Sequence, residues 1–261
     1  MKTNFAKRVL VIHAHPDDTE AFSGGLLVLM QQAGFEINIA TTTAGGMGGI
    51  LSTEKDTISK RLKEAALAAQ SVGATYHCLG GRDGFLFDSD EIRLKTLSLI
   101  RSIRPGVILT HLPGDYHADH RATAQIVEMS AMLSTLPNAP VPEEPLDVTP
   151  LLYHTAPLGL TDPLGGHPPK PHFYVNIGGV MEQKMAMLAH HRTQIELMRL
   201  MHKMDDFFGE MKVQSRELGR RVGVDYAECF WQHLGGGFQK TPFLQNNLQP
   251  YLINHSMDNV S

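Results

Sequence analysis

Short apolar runs alternate with amphipathic stretches through the first half of this chain, and the alternation predicts strands and helices in turn. Arg8 to Ala14 (RVLVIHA) is apolar and β-rich with no polar face, the pattern of a strand covered on both sides. Phe22, Leu26, Leu29, Met30 and Ala33 then recur at helical spacing, and Gly34 stands just past the helix end. Glu36 to Thr42 reads as a second strand, and residues 44–53 (AGGMGGILST) as a glycine-rich loop. A helix is expected from about Thr57 to Val72, apolar at Ala65, Ala68, Ala69 and Val72 and stopped by Gly73. Ala74 to Leu79 reads as a third strand and Asp90 to Ile103 as a helix with Asp90 as candidate N-cap, ended by Arg104-Pro105. Gly106 to His111 reads as a fourth strand and His120 to Leu133 as a helix. Strands that alternate with helices predict an α/β fold: a Rossmann-like, mostly parallel sheet with helices on both faces.

The alternation stops near Leu136. Residues 136–171 are proline-rich with little periodicity, a composition that borders a site more often than it forms a core; Leu151 to Thr155 is a short strand within it. His172 to Ile177 resumes as a strand. Gly179 to about Met201 reads as one helix rich in Met and His, and Gln214 to Val222 as a short one. The polar tail after Thr241 is expected to be mobile. The chain thus reads as a single domain over 1–261, with a core over 1–135, a rim segment over 136–171, a C-terminal strand and helices over 172–240, and a tail over 241–261.

Composition narrows the classes. At 261 residues, 42% hydrophobic and 19% charged, the chain is long and apolar enough to bury a full core. A net charge of -4 points away from nucleic acid and from anionic membranes. Two cysteines, Cys78 and Cys229, make no disulfide framework and suit a reducing compartment. The N-terminal apolar run is too short for a signal sequence or a membrane span, so a cytoplasmic protein is expected.

The candidate chemistry sits where two predicted strands stop. His15, Asp17 and Asp18 follow the first strand; Asp115, His117, Asp119 and His120 follow the fourth. Ligands of open α/β sheets bind outside the carboxyl ends of the strands, so the two groups can meet across one crevice. A mixture of His nitrogen and carboxylate oxygen is the ligand set of a catalytic zinc with room for a water. Pro16 fixes the turn, which lets His15 and Asp18 converge on one ion while Asp17 stays free beside it. His117 and His120, three apart, share a face if a helix begins there. Either cluster alone is also what a helix cap and a solvated histidine look like; both at matching strand ends favour one site.

AHPDDTE and HADHR resemble the paired motifs of the PIG-L/LmbE-like deacetylases, zinc amidohydrolases that remove acetyl from N-acetylglucosamine-type sugars. The glycine loop followed by Arg61-Leu62-Lys63-Glu64-Ala65, GRDGF at Gly81 to Phe85 and RELGRRVGVDYAECF at Arg216 to Phe230 are similar to the branch containing the bacillithiol-pathway deacetylases. The resemblance implies His15, Asp18 and His120 as ligands of one Zn2+ per chain, with other divalent metals also accepted. It implies Asp17 as general base and His117 as stabiliser of the oxyanion or proton donor to the leaving nitrogen. Asp119 would hydrogen-bond to His117 or to a ligand histidine and orient it. The implied activity is metal-dependent hydrolysis of acetyl from an N-acetylglucosamine-type sugar or conjugate, by a homo-oligomer (trimer or hexamer). The alternatives are the same chemistry on a thiol conjugate or an acylated antibiotic precursor, and a non-catalytic sugar binder.

Substrate contacts are assigned to Arg61, Tyr116 and Asp83. Arg61 could instead pair with Glu64 or an Asp of the site, and Asp83 could be only a turn residue. Tyr116 stands where close relatives in the thiol-pathway branch carry Arg, which weakens the case for an anion there. The glycines at 45, 46, 48 and 49 lack the Lys-Ser/Thr of a phosphate loop and suit a close approach to the sugar. His190 and His191, adjacent on a helix, point about 100° apart and do not converge on one ion. Gln194 suits the pocket border, a cap or a subunit contact. Met181, Met185, Met187, Met198, Met201 and Met204 suit packing or an oligomer face.

Overall fold

The first strand, β1 (Arg8–His13), is covered on both faces: Val9 and Val11 enter one apolar layer, Leu10 and Ile12 the other. A computed structural model describes residues 5–253. After β1 come α1 (Asp18–Gln32), β2 (Glu36–Thr43), α2 (Glu54–Gln70), β3 (Thr75–Gly81), α3 (Asp90–Ile103), β4 (Val107–His111), α4 (Ala118–Leu133) and β5 (Leu151–Thr155). The C-terminal part adds β6 (Phe173–Asn176), α5 (Met181–Leu188), α6 (Arg192–Met201), α7 (Phe207–Arg220), β7 (Ala227–Gln232), α8 (Phe243–Asn247) and β8 (Leu252–Ile253). Among the described residues, all eight strands form one sheet in the order β3-β2-β1-β4-β5-β7-β6-β8. The first five are parallel, and β7, β6 and β8 extend them antiparallel.

The strand order reverses between β1 and β4, which opens a crevice at their carboxyl ends. Leu26 of α1, Ala69 of α2, Met185 of α5 and Met211 of α7 pack on one face. Ile92 and Ile100 of α3 and Ile126 and Val127 of α4 cover the other. Among the described residues no helix is long and apolar enough to cross a membrane.

Four expectations are corrected, each for a polar reason. α1 starts at Asp18 rather than Phe22, because its first turn buries polar groups that find partners elsewhere: Thr19 meets His13 (2.9 Å) and Glu20 meets His191 (3.2 Å). The single helix expected over 179–201 is two, α5 and α6, broken at 189–191. There the Glu64 carboxylate accepts from the Thr193 amide (3.2 Å) and hydroxyl (2.6 Å), satisfying donors at the new helix start. The short helix at 214–222 is α7, which begins at Phe207 with Asp206 accepting from the Gly209 amide (2.8 Å). The tail forms regular structure through 243–253. α8 packs on the core through Leu244, and buried Gln245 accepts from the Tyr153 hydroxyl at 2.9 Å. The rest of the expected tail, 254–261, lies outside the described residues.

Candidate active site

The turn after β1 places two carboxylates in opposite roles. Asp17 is the N-cap residue of α1, yet its backbone is left-handed (φ 105°) and its side chain makes no capping hydrogen bond. A non-glycine residue in that conformation is strained by about 1–3 kcal/mol and persists where its surroundings hold it. The Asp17 carboxylate is therefore turned away from its own helix and lines a cavity. Asp18 turns back: its Oδ2 accepts from the His15 amide (2.8 Å) and lies 3.3 Å from His15 Nδ1 and 3.4 Å from His120 Nε2.

Their protonation differs accordingly. Burial, and then the neighbouring Asp18 charge, push the Asp17 carboxyl up to about 7, against His191, Arg61 and His15. Burial would also raise Asp18, but His120 and hydrogen bonds from the surrounding imidazoles hold it well below the usual carboxylate range. Burial would lower His120; Asp18 and Asp115 outweigh it and raise the imidazole to about 9.

The turn after β4 supplies the facing groups. Buried Asp115 accepts from the His117 amide (2.9 Å) and meets His120 Nδ1 at 2.9 Å, both through Oδ1. His120 therefore carries a proton on Nδ1 and turns Nε2 toward Asp18. His117 caps α4: its Nδ1 accepts from the Asp119 amide (3.2 Å), which puts its proton on Nε2. Burial, then the charges of His15 and His120, lower its pKa. Asp119 meets His15 rather than His117: its Oδ2 is 3.2 Å from His15 Nε2 and accepts from the Gly84 amide (2.8 Å). Asp83 joins it, 3.3 Å from His15 Nε2 and accepting from the Met47 amide at 2.9 Å.

Three overlapping groups bring ligand atoms within 4.8 Å of one another: His15, His117 and His120; Asp18, His111 and His120; and His15, Asp83 and Asp119. None of these groups is the expected trio of His15, Asp18 and His120, although Asp18 Oδ2 lies 3.3 Å from His15 Nδ1 and 3.4 Å from His120 Nε2. His111, at the end of β4, is the residue that sequence reasoning left out. Its Nε2 accepts from the Ala14 amide (2.8 Å), so that lone pair is taken; burial, then the His120 charge, push its pKa down to about 3. His111 Nδ1 and Asp115 Oδ2, 3.9 Å apart, are buried without hydrogen-bond partners. The donor set of two imidazoles and one ionised carboxylate, with the far nitrogen of His120 held by Asp115, fits a divalent metal such as zinc.

His15, Asp17, Asp18, Asp83, His117 and His120 line one cavity of about 440 Å³ together with Tyr116, Arg61 and Gln194. Arg61 is 4% exposed and donates to Gln194 Oε1, not to Glu64. Gly45 and Gly48 pack on its guanidinium; a Cβ at either would collide with it, so the glycine loop makes room for this side chain. His191, expected to have no joint role with His190, is buried against Glu20. Met181, Met185 and Met187 are core residues, whereas Met198 and Met204 line the cavity and Met201 is exposed.

Residues 10–131 match the family described as PIG-L: GlcNAc-PI de-N-acetylase. The chain is 28% identical over 198 residues to diacetylchitobiose deacetylase of Thermococcus kodakarensis, covering 73% of this chain and 71% of that one. It is 29% identical over 183 residues to 1D-myo-inositol 2-acetamido-2-deoxy-alpha-D-glucopyranoside deacetylase of Rhodococcus erythropolis, covering 59% of this chain and 62% of that enzyme, less than two thirds of its length. Among solved structures, N,N'-diacetylchitobiose deacetylase from Pyrococcus horikoshii superposes with a TM-score of 0.76 at 26% identity, over 91% of this chain and 88% of that one.

Proposed function

The chain carries a PIG-L family domain, and from that premise we propose that it is a metal-dependent hydrolase that removes acetyl from an N-acetylglucosamine-type sugar or conjugate. The observation that carries the reading is the left-handed turn at Asp17. It presents a carboxylate with a pKa near neutrality to the same cavity that His15, Asp18, His117 and His120 line.

His15, Asp18 and His120 would hold the metal, zinc by preference, which when bound acidifies water and polarises the acetyl carbonyl. Asp17 accepts the proton of the attacking water; a base with a pKa near the working pH is suited to that task. Neutral His117 already carries a proton on Nε2, so it donates to the carbonyl oxygen as negative charge develops there. The sugar nitrogen leaves with the proton that Asp17 took up, and acetate and a free amine result. Asp119 and Asp83 orient His15, Asp115 orients His120, and Arg61 and Tyr116 flank the sugar.

A non-catalytic sugar binder has no use for a strained, uncapped carboxylate at this position. The test is acetate release from N-acetylglucosamine, diacetylchitobiose and the malate glycoside, with zinc and after chelation. Chelator-sensitive release supports the reading; no release from any of them with one metal bound per chain refutes this substrate class.

A further inference from the structure

His111 touches both turns that carry the proposed metal ligands. It ends β4, is fully buried, and its ring lies flat on His120, with centroids 3.8 Å apart and planes 6° from parallel. Its Nε2 accepts at 2.8 Å from the amide of Ala14, the residue before His15, and lies 3.4 Å from Asp18 Oδ2. The Ala14 carbonyl accepts from the Thr43 amide (2.9 Å), so Ala14 is held from β2 and from β4 alike. At the other side of the ring, Nδ1 faces Asp115 Oδ2 at 3.9 Å. Both atoms are buried and neither has a hydrogen-bond partner, while Asp115 Oδ1 meets His120 Nδ1.

A ring nitrogen that accepts from an amide bears no proton and has no lone pair left for a metal. The His111 proton is therefore on Nδ1, directed at the carboxylate that holds His120. Asp18, His111 and His120 bring donor atoms within 4.8 Å of one another, so a free His111 would join His15 in completing four protein ligands. Four protein ligands make the closed site of a structural zinc, whereas three leave a position for water.

We propose that His111 is a positioning residue. Its bond to Ala14 and its stack on His120 hold the two ligand-bearing turns in register, and the same bond keeps it out of the ligand set. His13, itself held by Thr19 and Thr155, packs on the ring at 4.4 Å, and His154 Nδ1 meets the His111 carbonyl at 2.8 Å, so ring and backbone are both braced. The inference rests on the reading that His15, Asp18 and His120 hold the metal, and on nothing about the substrate.

Zinc affinity is measured by competition with a chromogenic chelator, beside urea unfolding of the zinc-free protein. His111→Asn is too short to accept from Ala14 and should weaken zinc binding about 10- to 100-fold, the usual loss when a partner behind the ligands of a metal site is removed. His111→Gln presents an amide oxygen where Nε2 stands and should recover most of that loss. Equal losses in both variants would make His111 a ligand. Reduced stability with wild-type affinity in both would make it merely structural. Either result overturns the proposal. Nitrogen-15 NMR of the histidine rings in the wild-type protein covers the case in which a variant does not fold. Zinc should bring His120 Nε2 to the range of a metal-bound nitrogen and leave His111 Nε2 in that of a hydrogen-bond acceptor; His111 Nε2 in the metal-bound range overturns the proposal. No substrate enters these measurements. The expected zinc results without acetate release refute the deacetylase reading alone, and a wild-type protein that binds no zinc overturns both.

Discussion

Asp115 and His120 are joined by a 2.9 Å hydrogen bond from ring Nδ1 to Oδ1, and both side chains are about 2% exposed or less. The bond holds a proton on Nδ1, which leaves Nε2, now facing Asp18, as the nitrogen that would meet a metal, and the same oxygen accepts from the His117 amide. One carboxylate thus sets the ring of a candidate ligand and the backbone of a candidate acid.

Asp115→Asn should therefore weaken zinc binding about 10- to 100-fold, the usual effect of losing a carboxylate behind a ligating histidine. The variant keeps the shape of the side chain, so it should fold. Competition with a chromogenic chelator measures the affinity, and wild-type affinity in the variant would show that Asp115 does not position the ligand.

Asp17 separates activity from stability. Asp17→Asn should retain zinc and lose turnover about 10²- to 10⁴-fold, the range of a general base. Asp17→Gly should lose turnover too, yet gain about 1 kcal/mol of stability. Relief of about 1–3 kcal/mol of left-handed strain exceeds the roughly 0.5–1 kcal/mol that glycine's extra chain entropy costs. Urea unfolding monitored by circular dichroism checks the second claim; a less stable glycine variant would mean that the turn is not strained.

Periodicity was enough to find the parallel core and the two strand ends where the chemistry gathers, because β1 and β4 are apolar on both faces and stop at His-Asp clusters. β7 (AECFWQ) escaped it, since buried Glu228 and Gln232 break the apolar run and their partners lie far off in sequence. The break between α5 and α6 is equally illegible: the apolar repeat runs on, and only Glu20 and Glu64, more than a hundred residues earlier, satisfy the groups exposed by the interruption. His111 looks like any strand terminus until the Ala14 amide is seen to occupy its lone pair. The conformation of Asp17 is a tertiary fact with no local signal.

Glu228 ties the antiparallel extension to the helix that carries Asp18. Its two oxygens accept from the Gly25 and Leu26 amides of α1 (2.9 and 2.8 Å), and Lys184 of α5 meets it at 2.8 Å with 2% of its side chain exposed. Gly25 makes room for Ile177, since a Cβ there would lie 2.6 Å from Ile177 Cγ2. Lys184→Met should destabilise the protein by about 3–5 kcal/mol, because it leaves a carboxylate buried without its counter-ion. Adding Glu228→Gln should recover part of that loss. Denaturant titration of the two variants decides; a Lys184→Met protein as stable as wild type would mean that the helix amides alone satisfy Glu228.

His154 sets an acid limit on stability away from the proposed ligands. Its Nδ1 meets the His111 carbonyl at 2.8 Å and its Nε2 meets His233 Nδ1 at 3.1 Å. Burial lowers its pKa from 6.5 to about 4; the His111 carbonyl opposes that shift, and His233 and His172 add to it. In the unfolded chain the imidazole takes up a proton near pH 6.5, which the folded protein refuses until about pH 4. The stability that neutral His154 contributes is thus present above pH 6.5 and is lost as pH falls toward 4, by about 2 kcal/mol at pH 5. His154→Gln should remove about that much of the difference between urea unfolding at pH 7 and at pH 5. An unchanged pH dependence in the variant would show that His154 is protonated alike in both states.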